Sequence, residues 1–552
     1  MSNSNYFEQI KPDNIIKLLI VTILALGIFF RFVNIDKKVF WFDETYTSLR
    51  VSGYTYQEAL TELKQKTISN KVFTLEDLQK YQRFQPEKGL QGLLNGLSKE
   101  EAQLTPLYFI AVQTWVRLLG DSVAVTRSVS ALVSLLTFPG IYWLSQLLFK
   151  SPMISWCAVI IIAVSPFHVL YAQEARPYSW LTALILLSSA AFLKAIQSGK
   201  RFDWAIYTLS LTLGLYTHLY IVLVAIAHGV YILFNKSFRL PKIIFNYAIS
   251  SLISLVLFCP WVIMLVHNLS SAQGMTSWLT GAVPIKSLVK AWLLNISRLF
   301  FDFNYSFIYF DLLSYLGMAI ILILVLYSLY FLIRHTKKQT WSFIIILILF
   351  NVLPLSLLDI ISGGKRSAVS RYLIPAYLGI QIAVAHLIVI RIFKVDTKEM
   401  WRKFWKLAVS LLISISIVSC IISSQTDAWW IKLSSFDIPK VAKIININKN
   451  SLVICQGILP FDLSYNLKGE FDFLYPTKKK QLNSEVFELE PTIIDNYQNV
   501  FVLSHNVDSS SLLDYVMKIN SNFDVEKEYT WRRYYDPTFY SVVKFWQLEK
   551  KS

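Results

Sequence analysis

The chain has 552 residues, of which 54% are hydrophobic and only 16% are charged, and its mean hydropathy is +0.46. A soluble protein needs about a quarter of charged residues, so this composition excludes a string of soluble domains. Aromatic residues at 15% exclude intrinsic disorder, and four Cys exclude a disulfide scaffold. Most of the chain is therefore predicted to face lipid.

The net charge of +17 is unevenly distributed along the chain. From Gln425 to the C-terminus, 15 Lys and Arg stand against 16 Asp and Glu, a net charge of −1, so the preceding 424 residues carry +18. Basic residues between hydrophobic segments are what the positive-inside rule and anionic lipid headgroups select. The charge therefore indicates membrane lipid as a partner and argues against nucleic acid.

A membrane helix needs a length of about 20 apolar residues. Eleven segments of the sequence reach or come close to this length. They lie near 15–35, 123–149, 153–171, 178–196, 204–217, 219–235, 243–266, 312–333, 340–361, 372–392 and 404–424. The first lacks a small-residue cleavage site and is typical of a signal anchor. The sequence thus predicts a polytopic α-helical membrane protein, multi-pass in a plasma or inner membrane.

Orientation depends on the segment Pro106–Leu119, which has 14 residues and contains Arg117. At this length an interfacial or re-entrant helix is as consistent with the sequence as a span. With 11 spans, the N-terminal Lys11 and Lys17 fall on the cytoplasmic side, together with every short basic connector. These connectors are Lys194/Lys200/Arg201, Lys236/Arg239/Lys242, Arg334/Lys337/Lys338 and Arg391/Lys394/Lys398/Arg402/Lys403. We therefore expect a cytoplasmic N-terminus and a non-cytoplasmic C-terminus.

The tail 425–552 differs in character from the transmembrane region 1–424, whose first outer loop is 36–105. Its apolar runs predict strands and its amphipathic stretches predict helices, which together indicate a small non-cytoplasmic α/β domain. The predicted strands are 451–455, 499–504 and 540–548, and the predicted helices are 438–446 and 510–520.

The first outer loop opens with two adjacent carboxylates, Asp43 and Glu44, which follow three aromatic residues at 40–42. A carboxylate held near hydrocarbon is costly unless it is paired or solvated, so such residues are usually functional. The alternative is an aromatic interfacial anchor with a solvated acidic cap.

A short turn between Pro166 and Pro177 contains Glu174 and Arg176. Both are candidate site residues, although they could also pair with each other at a helix end. Tyr171 in this turn is a predicted substrate-binding residue. His218, which interrupts an apolar run, is a second one, and the sequence does not separate substrate binding from helix capping there.

A third group, Lys365, Arg366 and Arg371, places three basic residues in seven positions on the predicted outer side. The adjacent glycines would let backbone amides approach an anion, and Arg offers a bidentate fork to phosphate. These residues are candidates for phosphate recognition, with lipid headgroups as the alternative ligand.

Metal binding has weak support. The acids Asp43, Glu44 and Glu174 could hold a divalent cation such as Mg²⁺ or Mn²⁺. They have no spacing signature, and the sequence has no zinc-type pairing of His and Cys. No residue is therefore assigned as a metal ligand, and a divalent cation remains an open alternative.

Together these residues resemble the C-type (GT-C) membrane glycosyltransferases, specifically the family 39-like group with protein O-mannosyltransferases and lipid A aminoarabinose transferases. The motifs that carry the resemblance are Asp43-Glu44, Thr105-Pro106-Leu107-Tyr108, Leu119-Gly120-Asp121-Ser122, Arg127-Ser128-Val129-Ser130-Ala131-Leu132, Ser165-Pro166-Phe167, Gln173-Glu174-Ala175-Arg176-Pro177-Tyr178 and Arg371-Tyr372-Leu373-Ile374-Pro375. The first third of the chain carries the match most specifically.

The resemblance implies a polyprenyl-phosphate sugar donor and an inverting transfer on the non-cytoplasmic face, with Asp43 as catalytic base and Glu44 as its neighbour. It also implies juxtamembrane helices in the first outer loop. Glu174 would bind sugar hydroxyls or a metal, and Arg176, Lys365, Arg366 and Arg371 would bind the donor phosphate. The acceptor could be a lipid, a glycan or a protein.

Two other functions remain as alternatives. A transporter or flippase of a lipid-linked saccharide usually shows inverted repeats and polar residues near mid-span, and neither is evident here. A scaffold that only presents the C-terminal domain would leave Asp43, Glu44 and the basic loop without a role.

Overall fold

The computed structural model describes residues 13–235, 240–304, 312–394, 398–448, 450–481, 484–505, 509–529, 531 and 543–551. The chain forms two compact units. The helical unit comprises Met1–Ile35, Glu101–Tyr108 and Arg127–Gln425, and the mixed unit comprises Asp36–Glu100, Phe109–Thr126 and Thr426–Ser552. The predicted positions Lys11, Lys236, Arg239 and Tyr540 lie outside the described residues.

The α-helices of the described residues are numbered in chain order. They are α1 (Asn14–Phe32), α2 (Phe42–Ser52), α3 (Tyr56–Ile68), α4 (Leu75–Gln79), α5 (Gly89–Glu100), α6 (Leu107–Leu119), α7 (Val123–Ser134), α8 (Thr137–Phe149), α9 (Pro152–Ala163), α10 (Pro166–Ala172), α11 (Tyr178–Ser198), α12 (Arg201–Thr217), α13 (Ile221–Phe234), α14 (Leu240–His267), α15 (Leu269–Thr276), α16 (Ile285–Ser297), α17 (Leu312–His335), α18 (Lys338–Ser362), α19 (Ile374–Phe393), α20 (Glu399–Ser424), α21 (Ile438–Ile447), α22 (Leu459–Ser464), α23 (Pro491–Ile494) and α24 (Ser509–Ile519).

Eight segments within the described residues are long and apolar enough to cross a membrane, which confirms an integral multi-pass membrane protein. They are Asn14–Phe32, Val123–Phe149, Tyr178–Ser198, Pro241–His267, Leu312–His335, Lys338–Ser362, Ser370–Phe393 and Glu399–Ser424. The other three predicted spans differ in form. The span at 153–171 is the pair α9 and α10, bent by 60°. The spans at 204–217 and 219–235 are the shorter helices α12 and α13, of 17 and 14 residues.

A buried arginine closes the break between α9 and α10. Pro166 begins α10 and cannot continue the helical hydrogen bonds of α9. The guanidinium of Arg31 on α1 donates to the carbonyl oxygens of Ala163 at 2.7 Å and Ile162 at 3.3 Å, near the end of α9. A Cβ on Gly27 would lie 2.7 Å from the Ala163 oxygen, so this glycine permits the close approach of α1. Two carbonyl oxygens near the break thus accept hydrogen bonds from a side chain of the same helical unit.

The mixed unit contains a six-stranded sheet in the order β1-β3-β2-β6-β8-β7 and a separate hairpin of β4 and β5. The strands are β1 (Phe73–Thr74), β2 (Ser451–Cys455), β3 (Asp472–Leu474), β4 (Thr477–Gln481), β5 (Ser484–Glu488), β6 (Asn499–His505), β7 (Phe523–Tyr529) and β8 (Val543–Lys550). The central pairs β2–β3 and β2–β6 are parallel, and the β6–β8 and β7–β8 pairs are antiparallel. These strands, with α21 and α24, confirm the predicted α/β character of the tail.

The loop 36–105 contributes an edge strand to this sheet. Phe73 of β1 pairs antiparallel with Phe473 of β3, and their rings stack with centroids 5.6 Å apart. The loop is also tied internally, since buried Arg50 forms an ion pair of 2.6 Å with Glu100. Glu100 in turn accepts a hydrogen bond from the backbone N–H of Tyr56 at the start of α3. The first loop and the C-terminal segment therefore fold together as one unit.

Candidate active site

The two predicted catalytic carboxylates lie in the first turn of α2. Asp43 and Glu44 follow Phe42, the first helical residue. Negative charge is favourable at this position because the N-terminus of a helix carries a partial positive charge. Asp43 is partly exposed, whereas Glu44 is fully buried. Two residues that are adjacent in sequence thus have different environments.

Glu44 is anchored by the C-terminal segment. Its Oε2 lies 3.0 Å from Nζ of Lys432, and the two side chains are 0% and 1% exposed. The same oxygen accepts the backbone N–H of Trp41 at 3.4 Å, at the entrance of α2. A buried pair of this kind holds its partners firmly, because separating them would leave an uncompensated charge. Glu44 therefore fixes the turn that carries Asp43.

Asp462, on α22, belongs to the same neighbourhood and was not predicted from the sequence. The backbone N–H of Phe42 donates to Ser435 Oγ at 3.0 Å, and this hydroxyl donates to Asp462 Oδ2 at 2.7 Å. Burial raises the pKa of Asp462 to about 7, and the negative charges of Asp43 and Glu44 act in the same direction. The signal that could have found Asp462 is a single acid inside the apolar run 458–463. We call Asp43, Glu44 and Asp462 the acidic cluster.

The helical unit holds a second group of predicted residues. Tyr171 lies at the end of the bent pair, and its hydroxyl is 3.0 Å from Ser370 Oγ. The guanidinium of the next residue, Arg371, lies over the ring of Tyr178 at 5.2 Å and over that of Tyr372 at 5.7 Å. Arg371 is thus positioned by cation–π contacts with two aromatic rings.

His218 joins this group from the break between α12 and α13. Its ring lies 5.9 Å from that of Tyr178 and stacks on Tyr220 at 5.2 Å. Burial lowers the pKa of His218 to about 3, and the positive charges of Arg176 and Arg371 contribute. The backbone N–H of Tyr220 donates to Nδ1 at 3.2 Å. The ring is therefore neutral with its proton on Nε2, and can donate to a hydroxyl or a phosphate.

Glu174 and Arg176 lie in the turn that follows α10. Glu174 is 1% exposed, and its carbonyl oxygen accepts the backbone N–H of Arg176 at 2.7 Å. Glu174 and Arg371 are both close enough to Tyr171 for their charges to interact with its hydroxyl. The structure therefore brings Tyr171, Glu174 and Arg176, which are close in sequence, together with the distant residues His218 and Arg371. We call this set the arginine cluster.

The remaining basic residues occupy a folded loop before Arg371. The Nζ of Lys365 lies over the ring of Trp278 at 5.5 Å. Arg366 pairs with buried Asp359 at 3.1 Å, and Asp359 also accepts the backbone N–H of Ser367 at 2.6 Å. Gly364 has φ +128°, and a Cβ there would lie 2.5 Å from the Arg366 guanidinium. The loop is thus built around Asp359, a residue that the sequence did not single out.

The acidic cluster belongs to the mixed unit and the arginine cluster to the helical unit. Within the described ranges, no group of three or more His, Cys, Asp or Glu side chains has an arrangement that could hold a metal ion.

Comparisons with known proteins agree with the fold. Residues 103–264 match the family model described as dolichyl-phosphate-mannose-protein mannosyltransferase. The comparison with curated proteins found no match. Two solved structures of ArnT from Cupriavidus metallidurans are similar at 12% identity, each covering 96% of this chain and 98% of the other. The TM-score is 0.51 for the structure bound to undecaprenyl phosphate and 0.50 for the apo state.

The chain therefore shares the fold of ArnT. The predicted fold class, a polytopic helical membrane protein with a small C-terminal α/β portion, is confirmed, and the family model supports the resemblance to C-type membrane glycosyltransferases.

Proposed function

We propose that the chain is a glycosyltransferase that moves a sugar from a polyprenyl-phosphate donor to an acceptor hydroxyl on the non-cytoplasmic face, with inversion. The observation that carries the proposal is the arginine cluster, in which Arg176 and Arg371 are both near enough to a neutral His218 for their charges to lower its pKa. The fold and the family match support it, since the similar ArnT structure holds undecaprenyl phosphate. The acceptor is a lipid, a glycan or a protein.

In the proposed reaction, Asp43 takes the proton of the acceptor hydroxyl. At the same time the oxygen of that hydroxyl attacks the anomeric carbon of the sugar. A new C–O bond forms on one face as the bond to the phosphate oxygen breaks on the other. The electron pair leaves with polyprenyl phosphate. A positioned base contributes about 10²–10⁴-fold to such a step, and fixed positive charge near the departing oxygen can contribute comparably.

The other predicted residues take supporting roles in this scheme. Arg176, Lys365, Arg366 and Arg371 hold the donor phosphate. Arg371 is the member assigned to grip it with two hydrogen bonds, because it lies at the start of the span Ser370–Phe393 and carries a forked guanidinium. Tyr171, Glu174 and His218 bind sugar hydroxyls. Glu44 acts as the neighbour that keeps Asp43 in position through its contact with Lys432.

The direct test is turnover by the purified full-length protein in lipid vesicles, supplied with a panel of polyprenyl-phosphate sugars. Mass spectrometry of lipid-linked sugars from cells with and without the gene identifies the donor, which should accumulate when the gene is absent. Donor that moves across the vesicle membrane without being consumed would favour the flippase alternative instead.

Arg371→Lys should weaken donor use substantially, and Arg371→Ala should weaken it further. The lysine keeps the charge but loses the fork that grips a phosphate with two hydrogen bonds. A lost hydrogen bond to a charged group costs about 1.5–3 kcal/mol. The measurement is the apparent donor affinity of each variant in a titration with polyprenyl-phosphate sugar.

The matched control for this substitution is Arg201→Lys, at an exposed arginine at the start of α12. It should leave donor affinity unchanged. Equal affinity for the wild-type protein and Arg371→Lys would instead show that only total charge matters, as expected for bulk lipid headgroups.

We also propose a cytoplasmic N-terminus and a non-cytoplasmic C-terminus, from the basic connectors. A reporter that is active only outside the cytoplasm should therefore be active when it is fused after Ser552. Activity of a reporter that works only in the cytoplasm at this position would contradict the 11-span orientation, and would require the proposed reaction to be assigned to the other face.

A further inference from the structure

A cavity of about 320 Å³ lies in the helical unit, away from the arginine cluster. It opens where α8 and α17 end, where α18 begins and at the end of α19. Three lysines line it, Lys150, Lys337 and Lys394, together with apolar side chains such as Phe149 and Ile390. No Asp or Glu is present in its lining as far as the described residues extend. The cavity is therefore positively charged at its mouth and apolar along its wall.

A buried histidine gives this cavity a polar interior. His386 is 3% exposed, and its ring stacks on Phe149 with centroids 5.0 Å apart. Its Nδ1 has no hydrogen-bond partner within the part of the chain that the structure describes. A buried polar atom in this state costs free energy that a ligand could recover. His386 is itself one of the residues that line the cavity.

The start of α18 adds a further feature suited to an anion. Lys337 precedes the helix, and Gln339 and Thr340 of its first turn also line the cavity. The backbone N–H of Thr340 already donates to the carbonyl oxygen of Lys337 at 2.9 Å, and its hydroxyl donates to that of Leu148 at 3.0 Å. An anion would therefore meet the backbone N–H groups that precede Thr340, since a helix leaves its first N–H groups without intrahelical partners and its dipole is positive at this end. Phosphate groups bind at such ends for this reason.

From these features we propose that the cavity binds a phosphate anion, with Lys337 and Lys394 as charged ligands and His386 as an inner hydrogen-bonding partner. The phosphate belongs either to an anionic lipid headgroup, whose acyl chain would lie along Phe149 and Ile390, or to free phosphate. The positive-inside rule accounts for lysines in these connectors, but it requires neither their convergence on a cavity nor a buried histidine within it.

This site is separate from the proposed donor site. The 25 residues of α18 run from Lys338 beside the cavity to Ser362 before the basic loop. At 1.5 Å per residue the helix is roughly 37 Å long, so the cavity and the loop lie at its opposite ends. The inference therefore does not depend on the proposed glycosyl transfer.

The test uses the purified full-length protein in a neutral detergent. Native mass spectrometry would measure the binding of phosphatidylglycerol and, for comparison, of phosphatidylcholine. A second arm would follow the thermal unfolding midpoint with inorganic phosphate against chloride at equal ionic strength. We expect one phosphatidylglycerol, or one phosphate, to bind in preference to its control ligand.

Two variants and a matched control locate the binding. Lys337→Gln combined with Lys394→Gln should weaken it about tenfold or more, the loss expected for charged hydrogen bonds. His386→Phe preserves the stack on Phe149 and the net charge, yet should also weaken binding. Lys194→Gln combined with Lys200→Gln removes the same number of charges from another connector and should have no effect.

Selective retention of phosphatidylglycerol with no response to inorganic phosphate would identify a lipid headgroup, and the reverse would identify free phosphate. Either result supports the site when the cavity variants lose binding. The proposal is overturned if neither probe binds selectively, if the control weakens binding as much as the lysine pair, or if both cavity variants bind like the wild type. A poorly folded His386→Phe protein leaves the lysine pair to decide.

Discussion

Asp43→Asn should reduce sugar transfer by a factor of about 10²–10⁴, the contribution of a positioned general base. The substitution keeps the size and hydrogen-bonding capacity of the side chain but removes its ability to accept a proton. Asp43 is partly exposed in the first turn of α2, so the change should not disturb folding. The measurement is single-turnover transfer from a polyprenyl-phosphate sugar by the purified protein.

The control is Asp36→Asn, because Asp36 lies in the same loop, 36–105, and is exposed. It should transfer sugar at the wild-type rate. Wild-type turnover by Asp43→Asn would remove Asp43 from the mechanism, while leaving the donor site to be judged by the Arg371 variants.

Lys432→Met should destabilise the mixed unit by about 3–5 kcal/mol, the cost of leaving one member of a buried ion pair uncompensated. The side chains of Lys432 and Glu44 are both almost fully buried at a distance of 3.0 Å. Transfer should fall as well, because the pair holds the turn that carries Asp43. Denaturant unfolding and the transfer assay together measure the two effects.

The double variant Glu44→Gln with Lys432→Met should recover most of the lost stability, since it removes the isolated charge. Lys443→Met is the matched control. Lys443 pairs with Asp427 at 2.8 Å, but the side chains are 71% and 45% exposed, so the loss should be about 0–1 kcal/mol. Equal losses at Lys432 and Lys443 would show that the Glu44 pair does not anchor α2.

The membrane region could be predicted from the sequence because a span must satisfy its own backbone hydrogen bonds within one apolar segment. The signal is therefore local, and eight of the predicted spans coincide with segments of the described residues that are long and apolar enough to cross a membrane. Pro166 marks the break between α9 and α10 in the sequence, because proline cannot continue a helix. The donor to the carbonyls at that break could not be predicted, since the bonds of Arg31 to Ile162 and Ala163 join residues more than 130 positions apart.

Of the candidate site, the sequence identified the residue types and the segments that carry chemistry. Placing carboxylates and arginines beside apolar spans costs free energy, and so these residues stand out in a single sequence. The assembly of Tyr171, His218 and Arg371 required the tertiary structure, because it joins the ends of different helices. The same holds for Asp359, which lies eight residues before Ser367 and organises the basic loop.

A multi-pass membrane protein with an α/β tail could be predicted from the residues alone, because hydropathy and strand patterns are properties of neighbouring residues. The pairing of β1 in the loop 36–105 with β3 of the tail became visible only in the folded chain. The same holds for the difference in burial between Asp43 and Glu44. That difference arises from Lys432, 388 positions along the chain from Glu44, and the burial of a charge depends on partners that no local pattern specifies.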